Sequence, residues 1–133
     1  VEPGKAFARL QEYKGIVVDE SIDQVFGKFD LITIVHTLEH IPQPVELLKK
    51  ALEHAASNCV LIIEVPDAYK EPTVLRLAHP VAFTQKSLRF AVEKSGWNIL
   101  AMGEHYGTRI NSAGTERMTP EPPNILLVAN NNA

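Results

Sequence analysis

Hydrophobic positions in this chain gather into short dense runs, with polar and turn-forming residues between them. The clearest are Leu31-Ile32-Thr33-Ile34-Val35, Val60-Leu61-Ile62-Ile63 with Val65, and Ile125-Leu126-Leu127-Val128-Ala129. None of them alternates apolar with polar residues, the signature of strands covered on both faces, as in a parallel sheet flanked by helices. Between the first two runs, Pro42 and Pro44 set up a helix with Val45, Leu48, Leu52 and Ala55 on one face. Leu47 and Ala51 widen that stripe, and Asn58 stands where a left-handed residue would terminate the helix. Glu46 and Lys50 form an i,i+4 pair in the favourable order. Strand, helix and strand in this succession make a βαβ unit, which requires parallel pairing and a right-handed crossover.

The same reading extends in both directions. Ala6, Phe7, Leu10 and Tyr13 fall at helical spacing, opened by Pro3 and closed by Gly15 as a C-cap. Ile16-Val17-Val18 reads as a short strand, and Asp19 to Asp23 as the loop after it. Residues 68–81 show no periodicity. Thr84 is a suitable N-cap for a helix that carries Leu88, Ala91 and Val92 inward and ends at Gly96, with Trp97 folding back onto Val92. That contact makes Trp97 a packing residue. Trp97–Met102 and Ile125–Ala129 are the last two strands, joined by a long polar connection of the kind that usually has a function.

Composition narrows the class. A chain of 133 residues is one domain at most, and 45% hydrophobic content suits a packed core. The net charge of −3 offers nothing to phosphate backbones or anionic membranes, so neither nucleic acid nor membrane is an expected partner. No apolar run approaches the ~20 residues of a membrane span. The lone Cys59 cannot form an internal disulfide, which points to a reducing cytoplasm, and its place in an apolar run points to a buried structural thiol.

Chemistry concentrates where the first run ends. Asp30 opens it, and His36, Thr37, Glu39 and His40 follow Val35 at once. In open α/β sheets the ligand crevice lies outside the carboxyl ends of the strands, so two imidazoles and a carboxylate there form one wall of a site. The segment Phe29 to Pro44, F-D-L-I-x-x-x-H-x-L-E-H-I-P-x-P, resembles the fourth strand and following loop of class I S-adenosylmethionine (SAM)-dependent methyltransferases. It is similar above all to the branch with ubiquinone-pathway O-methyltransferases and sugar C- and N-methyltransferases. The resemblance runs from Val1 to about Met102 and returns at Asn124 to Ala129.

That resemblance implies a Rossmann-like methyltransferase fold, α/β, with a mostly parallel sheet of order 3-2-1-4-5-7-6 and an antiparallel carboxyl-terminal hairpin. It implies SAM as cofactor and a small-molecule methyl acceptor. Glu2 matches the acid that binds the ribose hydroxyls, and Glu20, Ser21 and Ile22 jointly match the residues over the adenine. Val35, His36 and Leu38 fall on the cofactor-facing strand end, and His36 and His40 are the candidates for a catalytic base. Some relatives, among them the small-RNA 3′-end methyltransferases, hold a divalent ion with E-x-x-E-H and a later histidine. Here the motif is His36-x-x-Glu39-His40 with His79, and a histidine replaces the first oxygen ligand that Mg²⁺ would prefer, so no metal is assigned.

The family's glycine-rich turn, G-x-G-x-G, is absent. Residues 1–133 therefore read as the carboxyl-terminal two-thirds of one methyltransferase domain, without strands one and two, and inactive as an isolated piece. The open edge of the fourth strand would then invite self-association. The alternative is a non-catalytic, degenerate methyltransferase fold used for protein association.

Overall fold

A computed structural model describes residues 21–70, 79–106 and 123–132. The expected helix from Ala6, the strand Ile16–Val18, and the candidate residues Glu2 and Glu20 lie outside them. Four strands and two helices follow in order: β1 (Phe29–Val35), α1 (Pro44–Glu53), β2 (Ala55–Pro66), α2 (Gln85–Lys94), β3 (Asn98–His105) and β4 (Asn124–Asn130). They form one sheet of order β1-β2-β4-β3. β1 and β2 are parallel, whereas β4 runs antiparallel to both β2 and β3. This is the expected 4-5-7-6 part of the sheet, with the carboxyl-terminal hairpin at one edge.

One face of the sheet carries the core. Ile32 and Ile34 lie in register with Leu61 and Ile63. Leu61, Ile63 and Val65 in turn face Ala129, Leu127 and Ile125. These residues pack with Leu48 and Ala51 of α1 and with Leu88, Ala91 and Val92 of α2. The other face departs from the expected double coverage at β1, where Leu31 is 55% and Val35 49% exposed. An unbroken apolar run looks the same in sequence whether one face or both are covered, and both described helices contribute to the same core. β1 is also the outermost strand of the sheet among the described residues.

Two local expectations are corrected. The helix closes at His54, not beyond Ala55, and Ala55 is the first residue of β2. Asn58 does adopt a left-handed backbone, φ 64°, but inside β2. There the pairing moves from Phe29–Ala55 to Leu31–Val60, so β2 uses more residues than β1, and a short polar residue that tolerates positive φ accommodates the excess. Glu46 pairs with Lys49 at 3.0 Å, while Lys50 reaches Asp23 at 2.6 Å. The hydrogen bond from Lys50 holds the Asp23 carboxyl below its ordinary range. An exposed helical pair is worth only about 0.2–0.5 kcal/mol, so a competing carboxylate from another turn suffices to displace it.

The second helix follows its sequence signals. Thr84 Oγ1 accepts from the Ser87 N–H, and Ser87 Oγ accepts from the Thr84 N–H. At the other end Gly96 has φ 94°, Trp97 N–H donates to Val92 O, and Gly96 N–H donates to Glu93 O. These are the two bonds of a Schellman motif. Trp97 is 2% exposed and its Nε1–H donates to Leu48 O at 3.0 Å, tying the end of α2 to α1. Cys59 is fully buried, and burial pushes its thiol up, with Asp30 adding to the shift. It is a structural thiol.

Candidate active site

The carboxyl end of β1 is shaped by Leu38. Its side chain is wholly buried in the core, in the short 3-10 turn Leu38–His40, and this leaves only His36 and Thr37 to bridge strand and turn. His36 takes a left-handed backbone, φ 46°, which costs an L-residue with a side chain roughly 1–2 kcal/mol. Its N–H still donates to Glu64 O at 2.9 Å, and Thr37 Oγ1 donates to Val35 O at 3.0 Å. The result turns the His36 ring out over the ends of the strands. Backbone strain of this kind gathers at functional sites.

Carboxylates flank the ring on both sides. Glu39 Oε1 lies 3.6 Å from His36 Nδ1, and Glu64 Oε1 lies 3.4 Å from Nε2. Glu64 is the hub of the crevice. Its Oε1 accepts a 2.7 Å hydrogen bond from Asn124 Nδ2 and lies 3.5 Å from His105 Nδ1. Asn124 Nδ2 is also 3.5 Å from His36 Nε2. The ends of β1, β2 and β3 and the start of β4 thus meet in one polar cluster. Reading the sequence singles out His36 but misses Glu64, His105 and Asn124. Glu64 carries a usable signal, a lone carboxylate inside an apolar run; the other two acquire their role only through sheet pairing.

His40 faces elsewhere. Its ring packs edge-on against His79, centroids 4.7 Å apart, and its Nε2 is 3.9 Å from Glu39 Oε1. Glu39 is 3% exposed, and its Oε2 is buried with no hydrogen-bond partner among the described residues. Glu39, His40 and His79 bring one ligand atom each to within 4.8 Å of one another, a set that suits a first-row transition ion better than Mg²⁺. His36 does not join that group.

The remaining expected residues have local tasks. Ser21 caps the 3-10 turn Ile22–Gln24: its Oγ accepts from the Asp23 N–H, while Gln24 Oε1 accepts from the Ser21 N–H. Ile22 packs on the core. Val35 is half exposed beside His36, whereas the Leu38 side chain is spent on the core. On the rim, Lys70 is bound to Glu104, which also accepts from Tyr106 Oη at 3.0 Å. The pair raises Lys70 and, with Tyr106, lowers Glu104.

A family model described as a methyltransferase domain matches residues 5–102. No curated protein sequence matches the chain. Among solved structures it is similar to a SAM-dependent methyltransferase, possible histamine N-methyltransferase, from Thermotoga maritima, with TM-score 0.70 and 16% identity over 98% of this chain and 72% of that one. It is similar also to the N-methyltransferase NodS of Bradyrhizobium japonicum, TM-score 0.67 and 17% identity, covering 99% of this chain and 71% of that one. The magnesium protoporphyrin IX methyltransferase of Synechocystis, with bound SAM, gives TM-score 0.57 and 15% identity over 97% of this chain and 54% of that one. At these identities the likeness is one of fold.

Proposed function

Since the chain belongs to the methyltransferase-domain family, we propose that it serves the transfer of a methyl group from SAM to a small-molecule acceptor, with His36 as the base. The observation that carries this reading is the strained His36, held over the strand ends between Glu39 and Glu64. Bound SAM supplies an electrophilic methyl on a sulfonium. What remains for the protein is to orient the acceptor and take its proton, work for one positioned imidazole. The His36 ring is half exposed, so an acceptor can reach it.

Of the cofactor residues, Glu2 would receive the ribose hydroxyls, and Glu20, Ser21 and Ile22 would lie along the adenine. Ser21 and Ile22 are half-buried and Val35 and His36 exposed, so a ligand can reach both segments. Leu38 can contribute only backbone, since its side chain is enclosed. In an intact version of the protein, Glu2→Ala is expected to weaken SAM binding by at least tenfold, about 1.4 kcal/mol, measured by titration calorimetry. A change of less than twofold would reassign the ribose acid.

This chemistry needs no ion. Activity is expected to survive a chelator; loss that a divalent ion restores would instead bring in Glu39, His40 and His79 as ligands. Among the described residues β1 is the outermost strand, and its half-exposed Leu31 and Val35 support self-association through that edge. Sedimentation at low micromolar concentration tests this, and a monomer at all concentrations would refute it. A lone buried thiol suits a reducing, cytoplasmic setting.

A further inference from the structure

We propose that Glu64 and Asn124 together fix which nitrogen of His36 carries the proton, which makes both of them positioning residues for the base. The shortest contact in the crevice is 2.7 Å, between Asn124 and Glu64 Oε1. A carboxylate only accepts, so the atom of Asn124 facing it is the NH₂ nitrogen, and this settles the orientation of the amide. That nitrogen has a second proton, and His36 Nε2 lies 3.5 Å away. An amide nitrogen does not accept hydrogen bonds, so a hydrogen bond between the two has Nε2 as its acceptor. Neutral His36 then carries its proton on Nδ1, on the side where Glu39 Oε1 lies at 3.6 Å.

Among the described residues one group competes with that assignment: Glu64 Oε1, 3.4 Å from Nε2, could accept a proton there, but the 2.7 Å hydrogen bond from Asn124 already occupies that oxygen. Glu39 comes from the 3-10 turn, Glu64 from β2 and Asn124 from β4, and His105 of β3 meets Glu64, not His36. Asn124 is 5% exposed, so water competes poorly for its amide. It stands opposite Pro66, two residues beyond Glu64 on the neighbouring strand, so sheet pairing fixes the donor and its anchor relative to each other. The consequence is a lone pair on Nε2. At 3.5 Å the amide holds Nε2 loosely, and an acceptor O–H or N–H can replace it while Asn124 keeps its bond to Glu64. Tautomer control by a neighbour is a general requirement for a neutral imidazole base.

The kinetic part of this inference rests on His36 being the base; the tautomer itself does not. The test uses the full chain with ¹⁵N-labelled histidine and long-range ¹H–¹⁵N correlation, with His36 assigned by the signals that His36→Gln removes. The expected wild-type spectrum shows Nδ1 protonated and Nε2 bare. Asn124→Leu should move the proton to Nε2, where Glu64 Oε1 can accept it, and Glu64→Gln, by freeing the amide, should mix the two forms. In both variants kcat should fall on the order of 10²-fold with SAM affinity unchanged within about threefold. A wild-type His36 protonated on Nε2, or a tautomer unmoved by either variant, overturns the proposal. Should Asn124→Leu fail to fold, the wild-type spectrum and Glu64→Gln still decide it. Methyl transfer retained in His36→Ala would sink the base reading alone and leave the spectral result standing.

Discussion

His36→Ala is expected to lower kcat for methyl transfer by roughly 10²–10⁴-fold, the range a positioned general base contributes. The SAM dissociation constant should change by less than about threefold, because the side chain acts on the acceptor's proton and not on the cofactor. His36 is the stronger of the two histidine candidates on geometric grounds. Its ring stands at the junction of β1, β2 and β4, while the His40 ring is packed against His79. His40→Ala should therefore cost less in the same assay. Comparable losses in both mutants would return His40 to the mechanism. Wild-type rates in both would remove the base altogether. A third outcome, a large rise in the SAM dissociation constant with His36→Ala, would make His36 a cofactor residue.

What could be read in advance was what local chemistry determines. The βαβ unit follows from Leu31–Val35, Pro44 and Val60–Val65, the second helix from Thr84, and its end from Gly96 with Trp97. Each of these signals lies within a few residues of the element it specifies. Asn58 shows the limit of such reasoning. Its left-handed backbone was legible, but whether it ends a helix or bends a strand depends on Phe29 and Leu31, whose pairing shifts there. The site divides along the same line. His36, Glu39 and His40 sit in one short segment and announce themselves, while Asn124 is 88 residues from His36 and becomes its neighbour only because β4 inserts beside β2. The exposed outer face of β1 was hidden for a related reason: Leu31 and Val35 have the composition of buried residues, and only the placement of the helices decides whether they are.

The largest effect on stability is expected at Trp97. Truncation to alanine should cost about 3–5 kcal/mol, the range for emptying a buried aromatic site. Stability is of order 5–15 kcal/mol for a domain, so this is a large share of it. The loss has two separable parts. Trp97 is 2% exposed and belongs to the core formed with Leu48, Ala51, Leu88 and Val92, so most of the cost is packing. The rest is the Nε1–H bond to Leu48 O, which sits within α1, where the carbonyl's second lone pair leaves a helical acceptor only partly deprived. Trp97→Phe keeps an aromatic ring but removes that donor, and should cost about 0.5–1.5 kcal/mol from the hydrogen bond, with a smaller packing loss added. Urea unfolding followed by circular dichroism gives both values from the shift in midpoint at constant slope. If alanine cost less than about 1 kcal/mol, Trp97 would not be the residue that closes the core between the two helices. A phenylalanine variant as damaging as alanine would assign the effect to the bond and not to volume. The side-chain hydrogen bond of Trp97 goes to Leu48 and not to the polar cluster around Glu64, so either variant, at temperatures where it stays folded, should keep the wild-type kcat. That separates damage to the core from damage to the site.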